Sequence, residues 1–136
     1  MPLREWWEAL ARQYQGQNVE FTAAGLEPEM QVPKTLFDSV ADNLLQNAIA
    51  KRAAGAKLQI RVSILCGKGL ELRVHDSGHA VPAEMANDLL RAPVRSATGL
   101  GIGLYQAARL AEKSGYALAL TENRDGAVCF ALRRAG

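Results

Sequence analysis

From Lys57 to Leu65 the chain alternates up to its last residue: Leu58, Ile60, Val62 and Ile64 are apolar, and Lys57, Gln59, Arg61 and Ser63 between them are polar. Successive residues of a strand point to opposite faces, so this run predicts a strand with one dry face and one wet face. The four residues "CGKG" then turn the chain into a second alternating run, Leu70 to Asp76, and the pair predicts a β-hairpin. A sheet that is wet on one side only must have its other side covered. What covers it decides the fold.

The covering elements are helices. Leu3 to Gln15 has helical apolar spacing and a stop at Gly16. Pro33 suits the first turn of a long helix from Lys34 to about Ala54, in which Leu36, Phe37, Val40, Ala41, Leu44, Leu45, Ala48 and Ile49 recur at i, i+3 and i+4. Pro82 to Leu90 predicts a short helix, Arg91 to Thr98 an irregular segment, and Gly101 to Ser114 a glycine-led helix closed by Gly115. Val19 to Ala23 and Met30 to Val32 are short strand candidates on either side of a turn at Gly25 and Pro28. Tyr116 to Thr121 and Ala127 to Leu132, joined through "ENRDG", form a closing hairpin. Helices and strands interleave, but hairpins outnumber crossovers. The expectation is an α/β (α+β) two-layer sandwich: a mixed, mostly antiparallel sheet covered on one face by helices, in a single domain of residues 1–136.

Composition excludes more than it identifies. Sixteen basic residues face fourteen acidic ones, a formal net charge of +2 spread along the chain, so no nucleic-acid partner is expected. Cys66 and Cys129 sit in apolar, strand-like contexts without metal-ligand spacing and read as free thiols of a reducing compartment, which points to a cytoplasmic location. No apolar run approaches the ~20 residues of a membrane span, and "MPLREWW" has no signal-peptide core. Direct membrane insertion is not expected.

Three features carry chemistry. In the second hairpin strand Leu70, Leu72 and Val74 face the core, and Asp76 continues that row, so its carboxylate points under the helices and needs a donor. Either Asp76 caps the turn at Ser77 and Gly78, or it accepts a hydrogen bond from a ligand. Asn43 and Asn47 stand one turn apart at the border of the apolar arc, where two amides either share a ligand or occupy a solvated flank. A neutral oxygen there suits Mg²⁺ that already carries phosphate oxygens. Gly99, Gly101 and Gly103 run at alternate positions into the fourth helix pattern. Neither the dinucleotide-binding nor the Walker spacing is met, because Leu104 replaces the required third glycine and the Gly67–Lys68 pair lacks its upstream glycine. What remains is either a hinge or a close backbone approach to an anion at a helix start.

As a set these segments resemble the ATP-binding domain of sensor histidine kinases, in the superfamily shared with DNA gyrase, Hsp90 and MutL. "DNLLQNAIAKR" (Asp42 to Arg52) is similar to the N box, "HDSGHAVP" (His75 to Pro82) to the first glycine box and "GLGIGLYQAARLAEKSGY" (Gly99 to Tyr116) to the second. The resemblance implies a Bergerat fold with an ATP pocket between helices and sheet. It implies that Asp76 accepts from the adenine amino group, that Gly78 lets the loop lie against the base, and that Asn47 holds Mg²⁺. Asn43 is placed beside the phosphates as the catalytic position. Gly99, Gly101 and Gly103, with backbone amides that include those of Ile102 and Leu104, are expected to cradle the phosphate chain under a lid from Arg91 to Thr98. ATPases of the superfamily look to have a water-activating glutamate where Asn43 stands, so poor hydrolysis and phosphoryl transfer to another acceptor are expected.

The acceptor is expected elsewhere: His75 and His79 do not resemble a phosphoacceptor box, and as a metal pair they are weak. The implied partners are a histidine-bearing dimerisation domain and, through it, a response regulator of a two-component system. Residues 1–17 are read as a helix leading in from that dimerisation domain, with Trp6 and Trp7 packing on the sheet or facing it, and the isolated domain is expected to be a monomer. The sequence departs from the family at Ala50, where a lysine is usual, and at Ala80, where a glycine is usual. Lys51, Arg52 and Arg95 are the candidate phosphate contacts. Two other readings share these boxes: a degenerate nucleotide-binding or docking module without kinase activity, and a serine kinase of the anti-sigma-factor type.

Overall fold

The computed structural model describes residues 1–26, 29–53, 58–67, 69–86, 90–91 and 100–134. The chain runs α1 (Leu3–Gln13), β1 (Val19–Ala24), α2 (Lys34–Ala53), β2 (Ile60–Cys66), β3 (Leu70–Asp76), α3 (Ala83–Ala86), α4 (Leu100–Lys113), β4 (Tyr116–Arg124) and β5 (Ala127–Arg134). The five strands form one sheet in the order β1-β2-β3-β5-β4. Only β1 and β2 pair in parallel, and the helix α2 between them is the crossover such a pair requires. The other three pairings are antiparallel.

The predicted dry face is the core. Ile60, Val62 and Ile64 stand opposite Asp76, Val74 and Leu72, and Leu72, Val74 and Asp76 stand opposite Leu132, Phe130 and Val128. The apolar residues of these rows, with Leu36, Phe37, Val40, Ala41, Leu44 and Leu45 of α2 and Leu104, Ala107 and Ala111 of α4, form one buried cluster. The other face is wet and charged. There Thr22 bonds Ser63 at 3.0 Å, and Glu71 accepts from Arg73 at 3.0 Å and from Arg133 at 2.7 Å.

Helix α1 belongs to this core. Its buried residues Leu3, Trp6, Trp7 and Leu10 fall at i, i+3, i+4 and i+7, a single helical stripe. Trp7 packs edge-on to Phe21 of the sheet with ring centroids 5.5 Å apart, and Trp6 edge-on to Phe37 of α2 at 5.1 Å. The indole N–H of Trp6 donates to Asp38 at 2.8 Å, which satisfies the one polar atom the ring buries.

Several boundaries differ from expectation for local reasons. Helix α1 ends two residues before Gln15, because Tyr14 to Gly16 form a turn that reaches Gly16 at φ +83°. Met30 to Val32 does not join the sheet. Gln31 makes a single bridge to Pro2, while the Leu3 N–H bonds the Met30 carbonyl at 2.8 Å and the Val32 N–H bonds that of Met1 at 2.9 Å. Strand β2 begins at Ile60 rather than Lys57, which lies outside the described residues with Ala54. Gln59 leaves the ladder because Ser77 takes both its backbone groups, the N–H through Oγ at 2.8 Å and the carbonyl through its own N–H at 3.1 Å. The helix expected from Pro82 to Leu90 is described as one turn, Ala83–Ala86, with Leu90 and Arg91 in a turn.

The closing hairpin is tighter than "ENRDG" suggested. Its strands continue to Arg124 and restart at Ala127, leaving the two-residue turn Asp125–Gly126 with Gly126 at φ +88°, the Asp-Gly chemistry that two-residue hairpins favour. A register shift between Leu120 and Glu122 marks a bulge. Beyond it β4 carries the polar residues Glu122, Asn123 and Arg124, while Val128 opposite Asn123 stays in the core. Pro28, Arg95, Gly99 and the rest of the expected lid, 92–98, lie outside the described residues.

Candidate functional site

Asp76 is the one buried charged residue among the described residues, 4% exposed, and lies in the row Ile60–Asp76–Val128. Its strand therefore holds a carboxylate under the helical layer, as the alternation predicted. Two donors satisfy it. The Gly78 N–H bonds Oδ1 at 2.9 Å, closing the turn, and the ammonium of Lys51 lies 3.3 Å from Oδ1 and 3.2 Å from Oδ2. The turn-capping role is present, and ligand acceptance would have to be added to it.

Lys51, one of the candidate phosphate contacts, lies on Asp76. The spacing explains why. Asn43, Asn47 and Lys51 stand at four-residue steps along α2, so they form one stripe about 12 Å long. One end of the stripe meets the end of β3, and the other meets α4. Arg52, one position round the helix, turns away and donates to the carbonyls of Gln17 at 2.7 Å and Asn18 at 2.9 Å, fixing the approach to β1.

At the α4 end, Gly103 meets Asn43. A Cβ built on Gly103 would run into Oδ1 of Asn43, so glycine lets α4 approach α2 with the asparagine between them and no shift of its side chain. The Asn43 amide donates to the Ser39 carbonyl at 2.7 Å, which holds its oxygen toward α4. Asn47, half-buried in the middle of the stripe, makes no side-chain hydrogen bond among the described residues. The first turn of α4 includes Leu100, Gly101, Ile102 and Gly103 and carries no acidic residue, and an acid-free helix start suits an anion. Leu104 sends its side chain into the core.

The loop after Asp76 is held from an unexpected side. The turn between β4 and β5 supplies a Gly126 N–H to the Gly78 carbonyl at 2.9 Å and an Asp125 carboxylate that accepts the Ala80 N–H at 3.0 Å. Asn123 accepts the Val81 N–H at 2.7 Å and donates to its carbonyl at 2.9 Å. Nothing in the sequence marks these residues beyond their turn chemistry, because the contact spans more than forty positions. A Cβ on Gly78 would press on Asp76 Oδ1 at 3.0 Å and Leu58 at 3.1 Å, so packing within the chain already favours a small residue there. His75 and His79 do not enter any cluster of three or more metal-ligating side chains among the described residues.

A family model described as histidine kinase-, DNA gyrase B- and HSP90-like ATPase matches residues 33–134. The chain belongs to this family. Membership implies an ATP site. Among curated proteins it is similar to the swarming motility regulation sensor protein RssA of Serratia marcescens, 32% identical over 91 residues. That match covers 64% of this chain and 19% of RssA. Among solved structures, the nucleotide-free catalytic domain of histidine kinase ThkA superposes with a TM-score of 0.78 at 21% identity, over 99% of this chain and 93% of that one. ThkA in complex with the response regulator TrrA matches at 0.70 and 19% identity, over 99% of this chain and 41% of that one. Full-length ShkA in complex with AMPPNP matches at 0.72 and 19% identity, over 98% and 30%. At these identities the structures establish the fold, which is that of histidine kinase catalytic domains. No helix among the described residues is long and apolar enough to cross a membrane.

Proposed function

We propose that this protein binds ATP between α2, α4 and the end of β3, and that it passes the γ-phosphoryl group to a histidine on a separate dimerisation domain in two-component signalling. The observation that carries the reading is the buried Asp76 at one end of the Asn43–Asn47–Lys51 stripe, with the acid-free start of α4 at the other end. The carboxylate suits the amino group of adenine, and the free amides of the first turn of α4, with Gly99, Gly101 and Gly103 and the backbone of Ile102 and Leu104, suit a phosphate chain. Gly78 keeps the base loop close.

Asn47 is the residue for Mg²⁺: its amide is half-buried, uncharged and without a hydrogen-bond partner among the described residues, a donor set that fits an ion bound chiefly to phosphate and water. When bound, the ion would neutralise phosphate charge as the phosphoryl group departs. Asn43, already turned toward α4, orients the phosphate end and offers no basic atom to activate water, so the phosphoryl group is kept for the histidine. RssA is named a sensor protein and one ThkA structure contains a response regulator, which supports a response regulator as the downstream partner.

The test is calorimetric titration of ADP and ATP, with Mg²⁺, into the protein and into Asp76→Asn. One-to-one binding that the substitution weakens roughly 10- to 100-fold is expected, the cost of a charge-assisted hydrogen bond. Absence of binding with the fold intact by circular dichroism would overturn the reading and favour a docking module.

A further inference from the structure

Lys51 stands where the proposed function needs room for a base. Its ammonium bridges both oxygens of Asp76, at 3.3 and 3.2 Å, and lies 3.4 Å from the His79 carbonyl. An ammonium has three donors, and three protein acceptors surround this one. The stem follows the same course, with its Cδ 3.5 Å from the point where a side chain on Gly78 would begin. Lys51 thus spans both residues assigned to the base end, Asp76 and Gly78.

The two partners differ in freedom. Asp76 is fixed in the β3 ladder and its side chain is 6% exposed, whereas that of Lys51 is 24% exposed on a flexible four-carbon stem that can swing into solvent. The contacts are longer than the ~2.7–2.9 Å of a strong charged hydrogen bond, so the ammonium can be displaced.

We propose that Lys51 is a built-in competitor for the base: its ammonium holds the acceptor that the adenine amino group must take, and it sets nucleotide affinity by having to leave. This rests on the ATP reading above. It differs from a phosphate contact by Lys51, and also from a lysine that reads the base, because both of those predict that losing the ammonium weakens binding.

Adenosine, which has no phosphate, isolates the base end. Titration of adenosine and of ADP into wild type, Lys51→Met and Lys51→Arg is expected to show both ligands bound roughly 3- to 10-fold more tightly by Lys51→Met, the release of a partly exposed ion pair. Lys51→Arg, which keeps the charge, should not gain. Unchanged or weaker adenosine binding by Lys51→Met would overturn the proposal while leaving the ATP reading intact. Loss of affinity for ADP alone would make Lys51 a phosphate contact, which also overturns it. If neither ligand binds wild type or Lys51→Met, both folded, the ATP reading falls and the proposal with it. Lys51→Met leaves the carboxylate with only the Gly78 N–H, so a measurement on wild type stands beside it. With lysine ε-carbons labelled, and the Lys51 signal assigned by its absence in Lys51→Arg, saturating adenosine should move that signal to the position of a solvated lysine. A signal that adenosine leaves unmoved would overturn the proposal even if Lys51→Met fails to fold.

Discussion

The side-chain amide of Asn123 reads the backbone of Val81 on both sides, accepting its N–H at 2.7 Å and donating to its carbonyl at 2.9 Å. It does for one residue what a neighbouring strand does in a sheet. With Asp125 on the Ala80 N–H and Gly126 on the Gly78 carbonyl, the closing hairpin fixes the loop that follows Asp76. The geometry of that loop is therefore set by residues more than forty positions further along the chain.

Asn123→Ala removes both bonds and should cost about 1–3 kcal/mol of stability, at roughly 0.5–1.5 kcal/mol for each net hydrogen bond. Asn123→Asp keeps the acceptor and loses the donor, so it should fall between. If the clamp positions the base loop, ADP affinity measured by calorimetry will follow the same order: wild type, then Asp, then Ala. Equal affinity for all three would show that the clamp supports the fold and nothing more.

How much of this was legible in the sequence depended on distance along the chain. The hairpin from Ile60 to Asp76 was legible because alternation is a local signal that directly determines which face each residue takes, and that signal placed Asp76 in the core row. The α2 stripe was half legible: four-residue spacing aligns Asn43 with Asn47, but the same spacing continues to Lys51, whose charge alone makes it a candidate phosphate contact and does not reveal its pairing with Asp76. The Asn123 clamp and the dependence of Gly103 on Asn43 were not legible, since each joins elements whose meeting is decided by tertiary packing. Met30 to Val32 looked like a strand because apolar β-formers in a short run do; its partner is the segment leading into α1, which the run itself does not encode.

Gly103 and Asn43 should behave as a coupled pair. Gly103→Ala puts a methyl group into Asn43 Oδ1, an overpacking that should cost about 1–3 kcal/mol against a gain of about 1 kcal/mol from helix propensity. In an Asn43→Ala background the obstruction is gone, and the same substitution should be neutral or stabilising by up to about 1 kcal/mol. Urea unfolding of the four chains gives the coupling energy directly. Additive effects would mean that the asparagine does not set the approach of α4.

Acid should test the wet face of the sheet. Burial acts to raise the Glu71 carboxyl, but hydrogen bonds and charge from Arg73 and Arg133 outweigh it, so the group sits below the ordinary glutamate value of 4.5. A carboxylate lowered in the folded state stabilises the fold above its unfolded value, and the contribution disappears as pH falls through the folded one. The loss therefore begins near pH 4.5 and deepens below it. Glu71→Gln cannot titrate: it should lower the melting temperature at neutral pH, and the gap to wild type should narrow steadily as pH is taken from 5 toward 3, roughly the interval over which such a group protonates. Melting curves that stay parallel across that interval would show that the two arginines give Glu71 no net stabilisation, and that the charged face is held by the ladder beneath it alone.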